Sequence, residues 1–442
     1  MTHNVATEAL TRPERLDRLP WTRKHSKLLG GSGIGWALDA MDVGLISFIL
    51  AALIAEWNIT QGQASVLGSI GFVGMAVGAS LGGLIADRIG RRNVFALTLV
   101  VYGLATGASA LAGGLAVLIV LRFFVGLGLG AELPVASTLV SEYAPARIRG
   151  RVVVILEAFW AVGWLAAALI GYFIVPLENG WRWALALGAI PAIYAIVVRY
   201  GLPESVRFLE SRGRHEEAEA AVRQFEEAAG IEAVVSPPIE VAPKPNWRVL
   251  WTPKFRKWTI ALSLTWIGVN FAYYGAFIWL PGLLYAAGHD LVRSFGYTLI
   301  ITLAQLPGYA TAAVLIEKWG RRPTLATFLA GSALSAIGMG FAPSTGWIIF
   351  AGCMLSFFNL GAWGALYAIT PEVFPTWLRT TGSGTATAFG RVAAMIAPLT
   401  VPVLNNVGGW PLVFGVLAAA FVLAMVSTFF LPERTGEVLE EQ

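Results

Sequence analysis

The sequence predicts an all-α membrane protein of twelve transmembrane helices, arranged as two pseudo-symmetric six-helix halves. The first of three observations is composition: of 442 residues, 56% are hydrophobic and 13% charged, and the mean hydropathy is +0.67. Soluble domains carry about 25% charged residues, so this chain lacks the polar surface of a water-soluble particle. A cytosolic enzyme and a nucleic-acid-binding domain are therefore excluded. The other two observations are a series of long apolar runs and an internal repeat.

Twelve apolar runs are each long enough, or nearly so, to cross a bilayer, which requires roughly 20 mostly apolar residues. They cover 31–55, 64–86, 93–112, 115–139, 152–174, 182–202, 256–284, 295–316, 323–342, 345–369, 380–403 and 408–431. The residues before the first run are too polar for a signal peptide and show no small-residue cleavage pattern. Six spans are thus expected on each side of a polar interruption.

The polar interruption and the two polar ends complete the expected domain organisation. Residues 203–255 begin with charge-rich sequence that predicts one or two amphipathic helices, and they continue as a proline-rich linker. Five regions follow. They are a cytosolic tail over 1–27, a first half over 28–202, a cytosolic linker with short helices over 203–255, a second half over 256–431 and a cytosolic tail over 432–442.

Lysine and arginine are unevenly distributed between the loops. They are concentrated in the first tail, in the linker and in the turns after the second, fourth and eighth runs, whereas the loops at 111–114, 343–346 and 405–409 contain none. Basic residues remain on the cytoplasmic side of a membrane. Both termini are therefore predicted to face the cytoplasm, in the cell (inner) membrane. The net charge of +4 then reflects topology and not an acidic partner.

The two halves repeat one another at a nearly constant spacing. The motif Gly-Leu-Ile-Ala-Asp-Arg-Ile-Gly-Arg-Arg over 83–92 returns as Ala-Val-Leu-Ile-Glu-Lys-Trp-Gly-Arg-Arg over 313–322. The same 230 positions separate Glu142 from Glu372, and two further motifs recur 229 positions apart. This pattern indicates duplication of a six-helix unit, an architecture in which transporters place a site between the halves.

Glycines recur at four-residue or similar spacing on the second and fourth spans, which predicts close helix packing and not chemistry. They are Gly71, Gly74, Gly78, Gly82, Gly126 and Gly130. The Gly-Ala-Ser-Leu-Gly segment over 78–82 matches a hydrolase nucleophile pattern, but it lies within a span with no strand before it. No enzymatic activity is predicted.

On these motifs the whole chain resembles the major facilitator superfamily. The turn over 83–92 is the superfamily's most specific short motif. Three segments, at 203–209, 371–376 and 432–436, resemble its sugar-porter and organic-ion branches. The segments 122–134 and 141–145 are closer to the subgroup that contains bacterial niacin and related metabolite transporters, synaptic vesicle glycoproteins, and animal organic anion and cation transporters. The resemblance implies a secondary transporter that works by alternating access.

The chain departs from sugar porters at positions that bind hexose in that branch. Span seven carries Asn270, Tyr273 and Tyr274 in the region of the paired glutamines of sugar porters. Span five carries Glu157 and Trp160 and lacks the sugar-binding glutamine. These departures disfavour a hexose substrate.

The few charges inside the spans are the candidate functional residues, since a charge at the bilayer centre costs roughly 2.5–3.5 kcal/mol. Asp39 and Asp42 are three residues apart and therefore share one side of span one. The resemblance aligns Asp42 with the acid that takes up the proton in proton-coupled relatives, and Arg122 on span four with its partner. The alternative is a fixed structural ion pair. Asp39 either joins this network or faces cytosolic water.

Two further acids lie on neighbouring spans. Glu132 lies ten residues after Arg122, about 15 Å along a helix, and so cannot occupy the same level. It is expected either as a second proton-coupling acid near the inner end of the cavity or as a partner of the arginines over 147–151. Glu157 on span five faces the cavity or has a structural role.

Arg391 carries the most information about the substrate. It lies near the middle of span eleven, with no acid on its own span. In the organic-ion branch the matching position is basic in anion carriers, and a guanidinium suits a carboxylate. The alternative is pairing with an acid from another helix. The remaining candidate substrate-binding residues are Asn270, Tyr273, Tyr274, Phe277, Gln305, Phe358, Asn359, Trp363 and Phe389, together with Glu157 and Trp160.

A third set of residues is expected to gate the cytoplasmic side. In the superfamily the acid of the first turn, here Asp87, docks on the start of helix eleven and on a neighbouring arginine. A helix-dipole attraction of roughly 0.3–1 kcal/mol suits a latch that must reopen. The other expected members of this network are Arg88, Arg91, Arg92, Glu142, Arg149, Glu317, Arg321, Glu372 and Arg379.

Together these features predict a secondary transporter of a small organic anion, for example an aromatic monocarboxylate such as nicotinate, by proton symport. Arg391 would hold the carboxylate, while Asp42 with Arg122 would couple the proton. The alternatives are a neutral or cationic metabolite, with Arg391 neutralised by Glu157 or another acid, and a non-transporting receptor. The expected partners are the solute and the lipid bilayer, and the expected state is a monomer. No cofactor besides the proton is expected, and no metal site, because the histidines lie in loops or tails.

Overall fold

The computed structural model describes residues 10–232, 247–375 and 378–432, and these form helices joined by turns. The side chains at positions 83, 87, 133–135 and 380 are not described. The proline-rich part of the linker and most of the second tail lie outside the described residues, as do the first nine residues.

The first half contains a short helix in the tail, α1 (Arg12–Asp17), followed by six spans. The spans are α2 (Arg23–Trp57), α3 (Gln61–Ile89), α4 (Arg91–Ser109), α5 (Leu115–Tyr143), α6 (Arg149–Phe173) and the pair α7 (Gly180–Leu187) and α8 (Ile190–Gly201). The linker then begins with two short helices, α9 (Val206–Ser211) and α10 (His215–Ala229).

The second half follows the same plan. Its helices are α11 (Arg256–Ala286), the pair α12 (Leu291–Leu303) and α13 (Gln305–Trp319), α14 (Arg321–Gly340), α15 (Thr345–Ile369) and α16 (Arg379–Thr428). At Gly409 the backbone of α16 leaves the helical region, with φ 63° and ψ −162°, so α16 supplies two spans.

Ten helical segments are long and apolar enough to cross a membrane. The less apolar α4 is not among them, and α16 is counted once although it supplies two spans. The described residues thus contain the twelve predicted spans.

The duplication extends to the backbone of equivalent turns. Gly90 and Gly320 precede α4 and α14 with φ values of 98° and 96°, a conformation that glycine adopts without strain. At Gly90 there is a second reason for glycine, because a Cβ would lie 2.3 Å from Oε2 of Glu204. The first turn of α4 therefore forms against this carboxylate only if residue 90 has no side chain.

Glycines bring the backbones of α3 and α5 into direct contact. A Cβ on Gly78 would lie 2.1 Å from the carbonyl oxygen of Leu127, and a Cβ on Gly126 would lie 1.9 Å from the carbonyl oxygen of Gly71. In lipid the hydrophobic effect does not drive helices together, because lipid tails are as apolar as the helix surfaces. Helices therefore associate through close packing of this kind. The predicted packing role of these glycines is confirmed.

Gly126→Val is expected to destabilise the protein severely. Overpacking costs about 1–3 kcal/mol where side chains can adjust, and here the obstacle is the backbone of α3. The measurement is the yield of monodisperse protein in detergent and its melting temperature. Gly415→Val on α16 is the matched control, since a Cβ there meets nothing within 4 Å. Equal melting temperatures for the two variants would contradict the packing role of Gly126.

The two ends of the bundle differ. We name the end that carries α1, α9 and α10 the linker end, and the opposite end the loop end. At the loop end the halves touch: Phe48 of α2 packs edge-on against Phe295 of α12 with ring centroids 5.2 Å apart. At the linker end a groove of about 420 Å³ runs along α2 and α6 on the surface of the first half. The halves are therefore in contact at the loop end, and the groove at the linker end belongs to the first half.

Candidate functional site

A cage of aromatic and charged side chains lies between the two halves, midway along the bundle. It is lined by Glu157, Trp160, Trp266, Asn270, Tyr274, Tyr309, Trp363, Tyr367 and Arg391. Helix α6 supplies the first two of these residues, and α11, α13, α15 and α16 supply the others. The space at the centre is about 10 Å³, that of roughly one water molecule. The side chains must therefore move apart to admit a ring-sized solute.

Aromatic side chains of the cage pack against one another, with Trp363 and Tyr367 stacked and Trp266 edge-on to both. Trp266 makes such contacts with Trp363 and Tyr367, at centroid distances of 5.6 and 5.2 Å. The indole nitrogen of Trp160 donates to the hydroxyl of Tyr273 at 3.1 Å, which ties the first half to the second. Tilted and edge-on rings of this kind can receive another flat ring between them.

Several buried polar atoms in and around the cage have no hydrogen-bond partner among the described residues. They are Oε1 of Glu157, the indole nitrogen of Trp363, and both amide atoms of Gln305 and of Asn359. A buried polar group without a partner costs about 1–3 kcal/mol, and native structures contain few of them. Of these, the oxygen of Glu157 and the indole nitrogen of Trp363 belong to residues that line the cage, and they are positioned to bind a polar solute.

Glu157 and Arg391 are the charged residues of the cage. The carboxyl of Glu157 is 2% exposed and lies beside the indole of Trp36, while Arg391 lies beside the hydroxyl of Tyr274. The two charges face the same cavity but form no ion pair with each other or with another carboxylate in the described part of the chain. The guanidinium is thus held in place without an acid bound to it.

A buried ion pair lies within the first half, outside the cage. Arg122 donates from Nη1 to Oδ2 of Asp42 at 2.6 Å and from Nη2 to the backbone oxygen of Asp42 at 3.2 Å. The other carboxylate oxygen accepts a hydrogen bond of 2.6 Å from Thr106. The pairing of Asp42 with Arg122 is present as expected from the resemblance, and the carboxylate is well satisfied in this conformation.

Asp39 and Glu132 are neighbouring buried acids. They are 3% and 0% exposed, so the alternative in which Asp39 faces cytosolic water is wrong. Asp39 lies beside the hydroxyl of Tyr102 and the carboxyl of Glu132, and Thr98 donates to Glu132 at 3.4 Å. The alternative in which Glu132 pairs with the arginines over 147–151 is also wrong, because Glu132 is enclosed by α2 and α4.

The turn between α3 and α4 is fixed by Glu204 at the end of the first half. Its Oε1 accepts hydrogen bonds from the backbone nitrogens of Arg91 at 2.8 Å and Arg92 at 3.1 Å, at the positive end of α4. The guanidinium of Arg91 lies 3.9 Å from Glu142. Glu204 belongs to the segment 203–209 that carries part of the resemblance, but its role in capping α4 was not predicted from the sequence.

Equivalent contacts occur in the second half. Arg321 pairs with Glu372 at 3.0 Å, and the guanidinium of Arg322 donates to the carbonyl oxygen of Leu431 at 3.3 Å. The charge network expected at the linker end is therefore present in both halves. The side chain of Asp87, the expected latch, lies outside the described residues.

Glu317 makes a contact that was not predicted. It pairs with Arg151 of the first half, with Nε of the arginine 2.9 Å from Oε1. Both side chains are more than half exposed, and exposed pairs contribute about 0–1 kcal/mol. This contact at the linker end can therefore break and form as the halves move. Among the other expected gating residues, Arg88 is exposed and Arg379 is the first residue of α16.

Sequence reasoning also missed the docking of α1 onto the linker helices. Arg15 is fully buried and donates to Glu226 and to Glu219, each at 2.9 Å. Arg149, expected in the gating network, pairs with Asp17 of α1 instead. A six-residue helix is too short for a sequence pattern to define.

The charge of Glu219 keeps α1 docked over a wide pH range. Burial raises the pKa of Glu219, but hydrogen bonds from Arg15, Arg223 and Arg12 outweigh it and lower the pKa to about 2. A lowered carboxyl pKa stabilises the folded state above the ordinary value of about 4.3, and this stabilisation is lost as the pH falls toward 2. The cluster is therefore intact at neutral pH.

Some predicted site residues lie elsewhere. Phe389 is 39% exposed and Phe358 packs against Phe328, so neither predicted residue lines the cage in this conformation. Four others, namely Tyr273, Phe277, Gln305 and Asn359, are buried behind the lining residues. Trp266, Tyr309 and Tyr367 line the cage and were missed.

His25 is buried in α2 instead of lying free in the tail, and no metal-binding group of three side chains occurs in the described ranges.

Two six-helix halves around a buried cage, in contact at the loop end, define a membrane transporter with its site between the halves. The chain belongs to the sugar (and other) transporter family, whose pattern matches residues 34–442, and its fold is that of a solved member of the major facilitator superfamily. Over 431 residues it is 46% identical to the niacin transporter NiaP of Acinetobacter baylyi, covering 96% of this chain and 98% of the relative. The predicted fold and the resemblance to this superfamily are confirmed.

Other relatives agree. The putative niacin/nicotinamide transporter NiaP of Bacillus subtilis is 46% identical over 413 residues, covering 93% of this chain and 96% of the relative. The synaptic vesicle 2-related protein of Xenopus laevis is 30% identical over 441 residues, covering 93% and 78%. The xylose transporter XylE from E. coli in its inward-open conformation superposes with a TM-score of 0.76 at 21% identity, covering 94% of this chain and 98% of that chain. This likeness concerns the fold alone.

Proposed function

We propose that this protein carries nicotinate or a closely related aromatic monocarboxylate across the cell (inner) membrane by proton symport. The observation that carries the proposal is the cage, in which Arg391 lies among aromatic rings and unpartnered polar atoms. The relatives that are named niacin transporters support the choice of solute.

In the proposed complex Arg391 binds the carboxylate through two parallel hydrogen bonds, for which the guanidinium fork is suited. The ring of the solute lies between Trp266, Trp363 and Tyr367, which move apart to receive it. The indole nitrogen of Trp363 lacks a partner and is available to an acceptor atom of the solute. This arrangement selects a flat, singly charged anion over a sugar.

Asp42 and Arg122 are proposed to couple the proton, with Asp39 and Glu132 as further acids of the same pathway. In this conformation Arg122 binds the side chain of Asp42 through a bond of 2.6 Å. A carboxylate that loses such a partner in a low-dielectric interior is unstable as an anion and takes up a proton. Movement of the halves can thus decide whether Asp42 carries a proton.

The linker end is proposed to face the cytoplasm, as the distribution of basic residues suggests. The structure then represents a state closed to the outside. Asp87 and the pairs at the linker end would close that side when the loop end opens. The protein is proposed to work as a monomer that needs no cofactor besides the coupling proton.

Proteoliposomes test the proposal directly. With an acidic exterior, radiolabelled nicotinate is expected to accumulate at least about tenfold over the level reached without a pH gradient, since one co-transported proton supplies 1.4 kcal/mol per pH unit. A protonophore should abolish the accumulation, benzoate should compete, and xylose should not. Nicotinate flux that does not depend on the pH gradient would contradict proton symport. Absence of flux for aromatic acids would contradict an aromatic monocarboxylate as the solute.

A further inference from the structure

The cage contains one negative and one positive side chain that share a cavity without forming an ion pair. Glu157 projects from α6 of the first half and Arg391 from α16 of the second. One oxygen of Glu157 is buried without a partner. With both groups ionised, the cage carries no net charge, and any solute anion that enters adds one negative charge.

No second cation among the described residues is available to balance that charge. The titratable groups that face Glu157 are Tyr274 of α11, Tyr309 of α13, Tyr367 of α15 and Arg391 of α16, and from α2 it meets the neutral indole of Trp36. Of these, Arg391 alone is charged at neutral pH. Two carboxylates that share one guanidinium in a low-dielectric cavity repel each other strongly.

We infer that Glu157 takes up one proton when a carboxylate solute binds to Arg391, so that the cage binds solute and proton together. The proton comes from the solvent, where a hydronium ion becomes water; it forms an O–H bond on Glu157, and no bond of the solute changes. The neutral carboxyl group of Glu157 then has an O–H donor, and it can donate a hydrogen bond to the carboxylate of the solute. When the solute leaves, the proton leaves Glu157 and the cage is neutral again.

This inference rests on the proposed function, because it needs an anionic solute on Arg391. It assigns Glu157 a role different from that of Asp42. Asp42 lies outside the cage and is already neutralised by Arg122 at 2.6 Å. Glu157 therefore links solute binding to protonation, whereas Asp42 is proposed to link protonation to the movement of the halves.

Equilibrium binding of nicotinate to the purified full-length protein between pH 6 and pH 9 tests the inference, with tryptophan fluorescence as the readout. In the wild type the Kd is expected to rise about tenfold per pH unit at the alkaline end, the slope for one linked proton. In Glu157→Gln the Kd should vary less than about twofold over the range. Nicotinamide, which has the same ring without the charge, should bind with no pH dependence to both proteins.

Glu178→Gln is the matched control, because it removes an exposed acid at the loop end and should keep the wild-type slope. Calorimetry in buffers of different ionisation enthalpy counts the proton without any variant, and one proton per nicotinate is expected. Zero protons in the wild type, or an unchanged slope in folded Glu157→Gln, would overturn the inference while the proposed function stands. If wild-type protein binds no aromatic acid at any pH, the proposed function itself has failed.

Discussion

Arg391→Ala is expected to weaken nicotinate binding by at least about 100-fold and to abolish uptake at micromolar nicotinate. Removing one partner of a buried ion pair costs about 3–5 kcal/mol, because the remaining charge stays buried without compensation, and about 2.7 kcal/mol already corresponds to 100-fold. Binding of neutral nicotinamide should change much less. The measurement is the Kd of each ligand at pH 6, together with the melting temperature of the variant.

Two variants separate charge recognition from general damage. Phe389→Ala alters the same helix at a side chain that is 39% exposed and does not line the cage, and it should bind nicotinate like the wild type. Arg391→Lys keeps the charge but loses the planar donor fork, and an intermediate affinity is expected. If folded Arg391→Ala binds nicotinate as tightly as the wild type, the carboxylate does not lie on Arg391.

The arrangement of the helices could be predicted from the sequence because its causes are local and repeated. Apolar runs of membrane-spanning length define most spans, and motifs that recur 230 positions later in the chain define the two halves. The turns at Gly90 and Gly320 show that the repeat includes backbone conformation as well as residue type. The short helix α1 was missed, since six residues carry no periodic pattern.

The composition of the cage could be predicted only in part. In a membrane helix, aromatic residues on the lipid face and on the cavity face look alike in sequence, because lipid and protein interior are both apolar. For this reason Phe389 was placed in the cage and Trp266 was not, although the structure shows the reverse. Charged residues gave better predictions, because Arg391 and Glu157 are costly anywhere except at a polar site.

Contacts between the halves were the least predictable. The pair of Arg151 with Glu317 joins residues 166 positions apart and exists in a conformation that is closed at the loop end. Sequence motifs indicate which residues can form such contacts but not which conformation brings them together. The partner of Arg149 was missed for a related reason, because Asp17 reaches it through the docking of α1.

Asp42→Asn is expected to abolish accumulation of nicotinate driven by a pH gradient while leaving counterflow exchange within about threefold of the wild type. The amide is permanently neutral, so the pair with Arg122 can no longer link protonation to the movement of the empty halves, and net movement of solute with a proton stops. Exchange of solute for solute needs no net proton transfer. Nicotinate binding should keep its pH dependence, since Asp42 does not line the cage.

Thr106→Val is the matched control for this second experiment. It removes a hydrogen bond of 2.6 Å to Asp42, worth about 0.5–1.5 kcal/mol, but it keeps the acid and its bond to Arg122. Accumulation should therefore survive in Thr106→Val. Because Asp42→Asn leaves Arg122 buried beside a neutral group, the double variant Asp42→Asn with Arg122→Gln tests the same point without an unpaired charge. Wild-type accumulation in Asp42→Asn or in the double variant would identify the pair as a fixed structural contact between α2 and α5. The coupling proton would then have to be carried by other acids.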